Sequence, residues 1–413
     1  MHSDSNSPDN KTIESLAIIP ARGQSKGIIK KNLQHLLGKP LIAHTIESAI
    51  KAQLIDRVVV STDDTEIATV ARDWGVQVVM RPTDISGDTV SSETALLHVL
   101  DYLLENENIR PLPLTFLQCT SPLTLPFDID GTIQEMLDQN ADSALAVTPF
   151  HYFLWHRDNR GYADGINHNK STRLMRQQRH NQFLEAGAVY TMMVDGFLTH
   201  KHRFFGKTVL YEIPPERCFE IDEPVDLLIA EILMRERELR THISMLPDTI
   251  EAIVFDFDGV FTDNRVIVDQ TGKEAVICDR GDGMGLSRLR KLDIPILVLS
   301  TEENPVVKAR CQKLNIAFQY GIVNKKEALL TWLDQNKLSP DNVVFVGNDI
   351  NDIDCLQTVG CSVVVNDAHP DVKRISRLIL EKPGGRGAIR ELSDLLERKW
   401  KDDQNDSRSK DTG

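Results

Sequence analysis

Two carboxylates one residue apart end a short apolar run in the second half of the chain. Asp256 and Asp258 follow the run Ile-Val-Phe at 253–255, and a Gly and an apolar-Thr-Asp triplet come next. A run of this length predicts a buried strand of a parallel sheet. In open α/β sheets, chemistry takes place just past the carboxyl ends of the strands. Carboxylates there must be solvated, paired or metal-bound, because bare burial costs too much free energy.

Three later features complete a reactive set, each at a strand end or a helix start. Ser300-Thr301 ends a predicted strand, Lys325 opens a helix, and Asn348-Asp349 with Asp352 follows another strand. One carboxylate can attack a phosphoester as a nucleophile, and a second, two residues on, can protonate the leaving group. The hydroxyl and the lysine neutralise phosphoryl oxygens, and the acidic cluster completes a Mg²⁺ site. The pattern therefore predicts phosphate ester hydrolysis.

A basic turn near the start of the chain indicates a second chemistry. Arg22, Lys26, Lys30 and Lys31 lie within ten residues of one another, with glycines at 23 and 27. Backbone amides with Lys and Arg are how proteins hold polyphosphate, and glycine lets the backbone approach the ligand. The turn lacks both the Walker and the dinucleotide glycine patterns. The alternative is a basic, solvated loop.

A second carboxylate pair, Glu220 and Asp222, is predicted on one face of a strand. Facing a bound polyphosphate, this pair is a natural ligand set for Mg²⁺, which prefers hard oxygen ligands and keeps waters and phosphate oxygens. The alternative is a solvated edge strand.

The elements that must position these groups alternate between strands and helices. This order predicts an α/β chain with two doubly wound parallel sheets, one in each domain. The first domain is predicted at 13–243 and the second at 249–400, joined by a Pro-containing linker. Residues 1–12 and 401–413 are predicted to be disordered tails, since they offer almost nothing to bury.

Composition excludes several classes of protein. The 413 residues carry a net charge of -14, which argues against a nucleic-acid binder. No apolar stretch is long enough for a membrane span, and the polar start is unlike a signal peptide. The six cysteines show no zinc spacing and indicate a reducing, cytoplasmic location.

The first half resembles the acylneuraminate cytidylyltransferases over roughly residues 13–235. The motifs that carry this resemblance occur in order: Ile-Pro-Ala-Arg-Gly-Gln-Ser-Lys-Gly (19–27), Lys31-Asn32, Arg81-Pro82, Gln118 with Thr-Ser-Pro-Leu (120–123), Arg176-Gln177, Glu-Ala-Gly-Ala-Val-Tyr (185–190) and Ile221-Asp222. The sequence after Ser25 differs from the Arg-Leu-Pro-Gly-Lys type of the related Kdo enzymes, which favours the sialic-acid branch.

The resemblance implies the joining of a nine-carbon 2-keto sugar acid to CMP from CTP. It implies that the CTP phosphates and base are held by Arg22, Ser25, Lys26, Lys31 and Asn32. It places Arg81 and Ser92 at the cytidine. It places Gln118, Tyr190 and Arg176 near the sugar, and Glu220 and Asp222 on Mg²⁺. Glu220 stands where the family usually has Asp.

The second half resembles the haloacid dehalogenase phosphatases, most closely the small Kdo-8-phosphate phosphatase type. The resemblance implies Asp256 as nucleophile, Asp258 as acid/base, Ser300 as the phosphate-binding hydroxyl and Lys325 as the cation. Asp256, Asp258 and Asp349 would hold Mg²⁺, with Asn348 and Asp352 supporting; the alternative is that Asn348 rather than Asp349 contacts the metal. The short stretch between the first two motifs leaves no room for a large cap domain. In such relatives four subunits assemble, so a homotetramer, a dimer of dimers, is expected.

The two resemblances together predict a fusion enzyme. The first domain would activate a sialic-acid-type sugar, and the second would hydrolyse a sugar phosphate, the 9-phosphate of the same sugar. The alternative is a catalytically silent second domain that is kept for tetramer assembly. The presence of Asp256, Asp258, Ser300 and Lys325 favours the active phosphatase.

Overall fold

The computed structural model describes residues 15–25, 27–87 and 90–410. They form two compact units, and the boundary falls between Arg235 and Glu236. The predicted tail at 1–12 and the predicted ligand Lys26 lie outside the described residues. Among the described residues, no helix has both the length and the apolar character needed to cross a membrane.

The first unit is built on one seven-stranded sheet. Its strands, with two short hairpins, are β1 (Leu16–Pro20), β2 (His35–Leu36), β3 (Lys39–Pro40), β4 (Arg57–Thr62), β5 (Gln77–Met80), β6 (Leu114–Leu117), β7 (Ser143–Pro149), β8 (Trp155–Arg157), β9 (Ala163–Gly165), β10 (Phe183–Met192) and β11 (Thr208–Glu212). The sheet order is β11-β7-β10-β6-β1-β4-β5. Strand β10 runs antiparallel to β6 and β7, and β1 is parallel to β4 and β6.

Helices cover both faces of this sheet. They are α1 (Leu41–Lys51), α2 (Thr65–Asp73), α3 (Ser92–Glu107), α4 (Pro126–Asp138), α5 (Val194–His200) and α6 (Pro224–Ser244), which crosses the boundary after Arg235. Successive side chains of a strand point to opposite faces. Accordingly, Ala17 and Ile19 of β1 pack in one core with Ile42 of α1, while Ile18 packs in the other with Leu96 of α3. The predicted doubly wound α/β fold is confirmed, but the first sheet, predicted to be parallel, is mixed because β10 is antiparallel to both of its neighbours.

The second unit has a six-stranded parallel sheet and an antiparallel hairpin. Its strands are β12 (Ala252–Phe255), β13 (Thr262–Val268), β14 (Glu274–Cys278), β15 (Ile296–Leu299), β16 (Ala317–Gln319), β17 (Val343–Gly347), β18 (Cys361–Val364) and β19 (Leu378–Ile379). Its helices are α7 (Arg280–Leu289), α8 (Val306–Leu314), α9 (Lys325–Asn336), α10 (Ile353–Leu356), α11 (Pro370–Ile375) and α12 (Ala388–Lys410). The sheet order is β16-β15-β12-β17-β18-β19.

The central strand β12 lies between β15 and β17 and is parallel to both. Phe255 is in register with Val298 on one side and Val346 on the other. The residues that follow these three strands are therefore brought to one edge of the sheet, as the sequence predicted. Only the β13–β14 hairpin separates β12 from α7 among the described residues, in agreement with the predicted absence of a cap domain.

Two segments differ from the prediction. Residues 401–410, predicted as part of a disordered tail, continue helix α12. Ion pairs one helical turn apart, such as Arg398 with Asp402 and Lys399 with Asp403, support this end of the helix. The segment of Glu220 to Asp222, predicted as a strand, is an extended loop before α6. The Ile221 N–H donates to Thr120 O rather than to a sheet ladder.

Candidate active sites

A cleft of about 550 Å³ opens at the carboxyl ends of β1 and β6. It brings together most of the residues that the sequence assigned to the first site. Those lining it are Arg22, Ser25, Lys31, Asn32, Arg81, Ser92, Gln118, Glu220 and Asp222. Lys26 is not described, and Arg176 and Tyr190 do not line the cleft.

Arg81 gives this cleft its strongest preference for an anion. The side chain of Arg81 is only 7% exposed, and its Nε and Nη2 atoms are buried without a hydrogen-bond partner. Burial lowers the pKa of Arg81; Asp63, 3.9 Å away, opposes this, and the like charge of Arg22 adds to it. Unpaired buried donors are costly unless a ligand binds them, so this guanidinium fits an anionic ligand.

Two polar side chains fix the basic turn. The Nδ2 of buried Asn32 donates to the carbonyl of Arg22 at 3.0 Å. Lys31 Nζ donates to Ile221 O at 2.8 Å and to Asp222 Oδ1 at 3.0 Å. Asn32 therefore shapes the turn in this structure, and Lys31 joins the turn to the acidic loop.

Several carboxylates lie close together on the acidic side of the cleft. Burial raises the pKa of Glu220 to about 7, and the carboxylates of Asp222 and Glu185 add to this effect. Glu220 packs directly on Gly187, whose φ is +61°. A β-carbon at position 187 would lie 1.1 Å from Glu220 Oε1. Glycine is therefore required here both by the backbone and by the approach of Glu220.

Gly187→Ala is expected to displace Glu220 and to reduce nucleotidyl transfer strongly. Gly75→Ala is the matched control, because Gly75 has a φ of +81° and a β-carbon added there would meet no heavy atom within 4 Å. Both variants carry a strain cost of about 1–2 kcal/mol for a left-handed residue. The melting temperatures of the two variants should fall equally. The rate of nucleotidyl transfer should fall only in Gly187→Ala. Equal transfer rates would contradict the role of this contact.

Two residues predicted near the sugar, Tyr190 and Arg176, do not line the cleft. Tyr190, predicted to face the sugar, is 2% exposed, and its hydroxyl donates to Glu185 Oε1. Arg176 lies in an exposed 3-10 turn away from the cleft lining. The prediction did not include Glu185, although it is the first residue of the motif that ends in Tyr190. Gln118 lines the cleft, and its Nε2 donates to Thr120 Oγ1 at 3.2 Å.

A second cleft, of about 320 Å³, lies at the carboxyl edge of the sheet in the second unit. It is lined by Asp256, Asp258, Asn264, Thr301, Asn348, Asp349 and Asn351. The two carboxylates and Asp349 were predicted site residues. Thr301 belongs to the predicted hydroxyl pair at a strand end, whereas Asn264 and Asn351 were not predicted, because their cleft position depends on the packing of separate loops.

A buried ion-pair cluster stands behind this cleft. Lys325 Nζ lies 2.7 Å from Asp256 Oδ1 and 2.8 Å from Asp352 Oδ1. Burial lowers the pKa of Lys325, but these two carboxylates outweigh burial and raise it. Burial and Asp352 raise the pKa of Asp256, whereas Lys325 and the Phe257 N–H favour its carboxylate. Lys325, predicted to contact phosphoryl oxygens, is thus held against the candidate nucleophile.

The predicted phosphate-binding hydroxyl lies just behind the cleft wall. Ser300 is 1% exposed, and its Oγ accepts a hydrogen bond from Glu302 N at 3.1 Å. This bond leaves the hydroxyl proton of Ser300 available as a donor. Thr301, the next residue, lines the cleft.

Asn348 fits a metal better than Asp349 does. Asn348 is buried, and its Oδ1 has no hydrogen-bond partner. Asp349 is exposed, and its Oδ1 accepts from Ile350 N at 2.7 Å. Gly259, with a φ of +77°, leaves room for the Asn348 amide, which would lie 1.8 Å from a β-carbon there. An orphaned carbonyl oxygen beside Asp256 and Asp258 suits a hard cation.

Each site supplies only part of the ligand set of a Mg²⁺ ion. In the described part of the chain, no group of three or more His, Cys, Asp or Glu side chains forms a metal cluster. Mg²⁺ usually takes one or two carboxylates and completes its shell with water and phosphate oxygens. In the second unit, three carboxyl groups lie near one cation, Lys325, and a divalent ion bound there would favour their ionised forms.

Comparison with known proteins identifies two families. A cytidylyltransferase family model matches residues 16–204, and a haloacid dehalogenase-like hydrolase model matches residues 310–390. N-acylneuraminate cytidylyltransferase of Oncorhynchus mykiss is 30% identical over 93% of this chain and 89% of its own length. Pseudaminic acid cytidylyltransferase of Campylobacter jejuni is 30% identical over 54% of this chain and 97% of its own length. The 3-deoxy-D-manno-octulosonate 8-phosphate phosphatase of Salmonella typhi is 32% identical over 38% of this chain and 84% of its own length.

Proposed function

The chain belongs to the N-acylneuraminate cytidylyltransferase family, and from this premise we propose that it transfers CMP from CTP to a nonulosonic acid and hydrolyses a sugar phosphate at a second site. It is an enzyme with a cytidylyltransferase domain for sialic-acid-like sugars and a haloacid dehalogenase-like hydrolase domain. The sugar, the phosphate ester, the residue roles and the dependence on Mg²⁺ are the parts that we propose.

The buried guanidinium of Arg81, whose Nε and Nη2 lack hydrogen-bond partners and which lies near Arg22, is the observation that supports CTP as the substrate. With CTP in the cleft, Arg81, Arg22 and Lys31 would stabilise the charge on the phosphates. The anomeric hydroxyl of the sugar attacks the α-phosphorus and releases its proton to solvent, the bond to the β-phosphate oxygen breaks, and pyrophosphate leaves with the electron pair. Mg²⁺ held by Glu220 and Asp222 would neutralise phosphate charge when bound.

Pyrophosphate release across a panel of 2-keto sugar acids tests this activity. The panel needs N-acetylneuraminate, its deaminated form and pseudaminate, because the relatives' names cover two kinds of acid. CTP-dependent release with at least one nine-carbon acid is expected. No release with any acid, in the presence of Mg²⁺, would contradict the proposal.

The Asp256–Lys325–Asp352 cluster supports an active phosphatase over a silent assembly domain. The Asp256 carboxylate would attack phosphorus and form an aspartyl phosphate, while Asp258 gives its proton to the departing sugar oxygen. Burial raises the pKa of Asp258, and Glu302 adds to this, so Asp258 takes up a proton more readily than an ordinary aspartate does. Asp258 would then take a proton from the water that hydrolyses the intermediate.

The proposed phosphate substrate is the 9-phosphate of the sugar that the first domain activates. The presence of a cytidylyltransferase domain and a hydrolase domain on one chain supports this choice. Phosphate release from the 9-phosphate should exceed release from Kdo 8-phosphate. A protein that releases no phosphate from either ester would favour the silent assembly role.

Asn348→Asp is expected to strengthen Mg²⁺ activation of the phosphatase. Replacing the neutral amide oxygen with a carboxylate adds one ligand charge at the same position. The Mg²⁺ concentration for half-maximal phosphate release should fall about tenfold, because ligand charge tunes cation affinity. Asn351→Asp is the matched control, since Asn351 lines the same cleft but is exposed. The assignment fails if Asn351→Asp lowers this concentration as much as Asn348→Asp does.

A homotetramer is proposed on the basis of the β13–β14 hairpin. Val266, Ile267, Val268 and Ile277 of this hairpin are all more than half exposed. Exposed apolar side chains concentrated in one hairpin favour assembly, and here they lie on both of its faces. Sedimentation equilibrium should give the mass of four chains, and Ile267→Lys should lower it.

A further inference from the structure

A buried ion pair lies behind the first cleft, outside the residues that line it. Arg203, in the loop after α5, donates through Nε to Glu93 Oε1 at 2.7 Å. The two side chains are 17% and 11% exposed. Glu93 is in the first turn of α3, next to Ser92, which lines the cleft. Breaking such a pair leaves a buried charge uncompensated, so its geometry is strongly held.

The same guanidinium packs over two stacked rings. Arg203 Cζ lies 4.8 Å from the ring centroid of Phe116 and 4.7 Å from that of Tyr190. The two rings stack at 5.3 Å with an interplanar angle of 17°. Phe116 lines the cleft, while Tyr190 is buried. A planar guanidinium is suited to this contact in a way that the compact lysine ammonium is not.

The Tyr190 hydroxyl connects this stack to the acidic side of the cleft. It donates to Glu185 Oε1, so its proton is already committed within the protein. Glu185 is exposed and lies near Glu220, whose charged form it disfavours. A β-bulge between Glu185 and Tyr190 interrupts the pairing of β10 with β7 and lets both side chains reach one another.

We propose that Arg203 is a positioning residue for the sugar acid, acting through Tyr190 to hold the exposed carboxylate of Glu185 near Glu220, where it meets the sugar acid. The Glu185 carboxylate accepts hydrogen bonds from hydroxyl or amide donors of the sugar acid. The nucleotide side of the cleft depends on the ion pair of Arg203 with Glu93. The sugar side depends on the stack of Arg203 on Phe116 and Tyr190. The inference rests on the proposed cytidylyltransferase function.

Arg203→Lys and Tyr190→Phe test the two links separately. Lysine keeps a cation near Glu93 but loses the planar stack, and phenylalanine keeps the stack but loses the hydroxyl. Each variant should raise the KM for the sugar acid about tenfold, the usual effect of losing a hydrogen bond to a charged group. The KM for CTP should stay within about twofold. Because both act through Glu185, the double variant should resemble either single one rather than multiply their effects.

Three results separate the possible failures. Wild-type protein without pyrophosphate release on any acid of the panel overturns both the function and this inference. An active wild type whose variants leave the KM for the sugar unchanged, or raise both KM values equally, overturns only the inference. A purely structural role would lower the melting temperature and kcat without separating the two KM values, and would also overturn it.

Discussion

Asp256→Asn is expected to abolish phosphate release while CMP transfer continues at its normal rate. Loss of a catalytic nucleophile typically costs about 10⁴-fold or more in rate. Asparagine has the same shape but is a much weaker nucleophile than a carboxylate. The variant should still fold, because Lys325 keeps Asp352 as a partner at 2.8 Å. Substituting Asp256 also removes a buried carboxylate whose pKa burial raises.

Parallel assays of phosphate and pyrophosphate release check this result on the full-length protein. Asp334→Asn, an exposed position on α9, is the control and should leave both rates unchanged. Loss of both activities in Asp256→Asn would show that the roles of the two domains are misassigned. Unchanged phosphate release would exclude Asp256 as the nucleophile.

Lys31→Met is expected to give the opposite pattern, a loss of CMP transfer with phosphate release unchanged. Removing a positioned cation from a developing oxyanion costs about 10²–10³-fold in rate. The ammonium of Lys31 also ties the basic turn to Ile221 O and to Asp222. Its positive charge opposes the rise in the pKa of Glu220, so the variant should leave Glu220 more protonated.

Lys51→Met is the matched control for Lys31→Met. Lys51 ends helix α1 and forms an exposed ion pair with Glu47 at 2.9 Å. Exposed pairs of this kind contribute about 0–1 kcal/mol to stability, so transfer and folding should both be preserved. A rate for Lys31→Met within about threefold of that for Lys51→Met would remove Lys31 from the catalytic set.

The sequence by itself determined the α/β class, the order of the elements and the two chemistries. Strand and helix periods are local signals, and reactive side chains at strand ends occur in a fixed order along the chain. The parallel pairing of β12 with β15 and β17 therefore gathered Asp256, Thr301 and Asn348 at one edge, as expected.

Only the tertiary structure decided which side chain of a predicted motif faces the ligand. Adjacent residues in a turn point in different directions, so the sequence could not separate buried Asn348 from exposed Asp349. Tyr190 was predicted to face the sugar, but stacking with Phe116 and Arg203 holds it inside and leaves Glu185 exposed. Arg203 and Glu93 are 110 residues apart, and no local pattern signals such a pair. Long-range packing sets these orientations, and a short sequence motif gives no information about such packing.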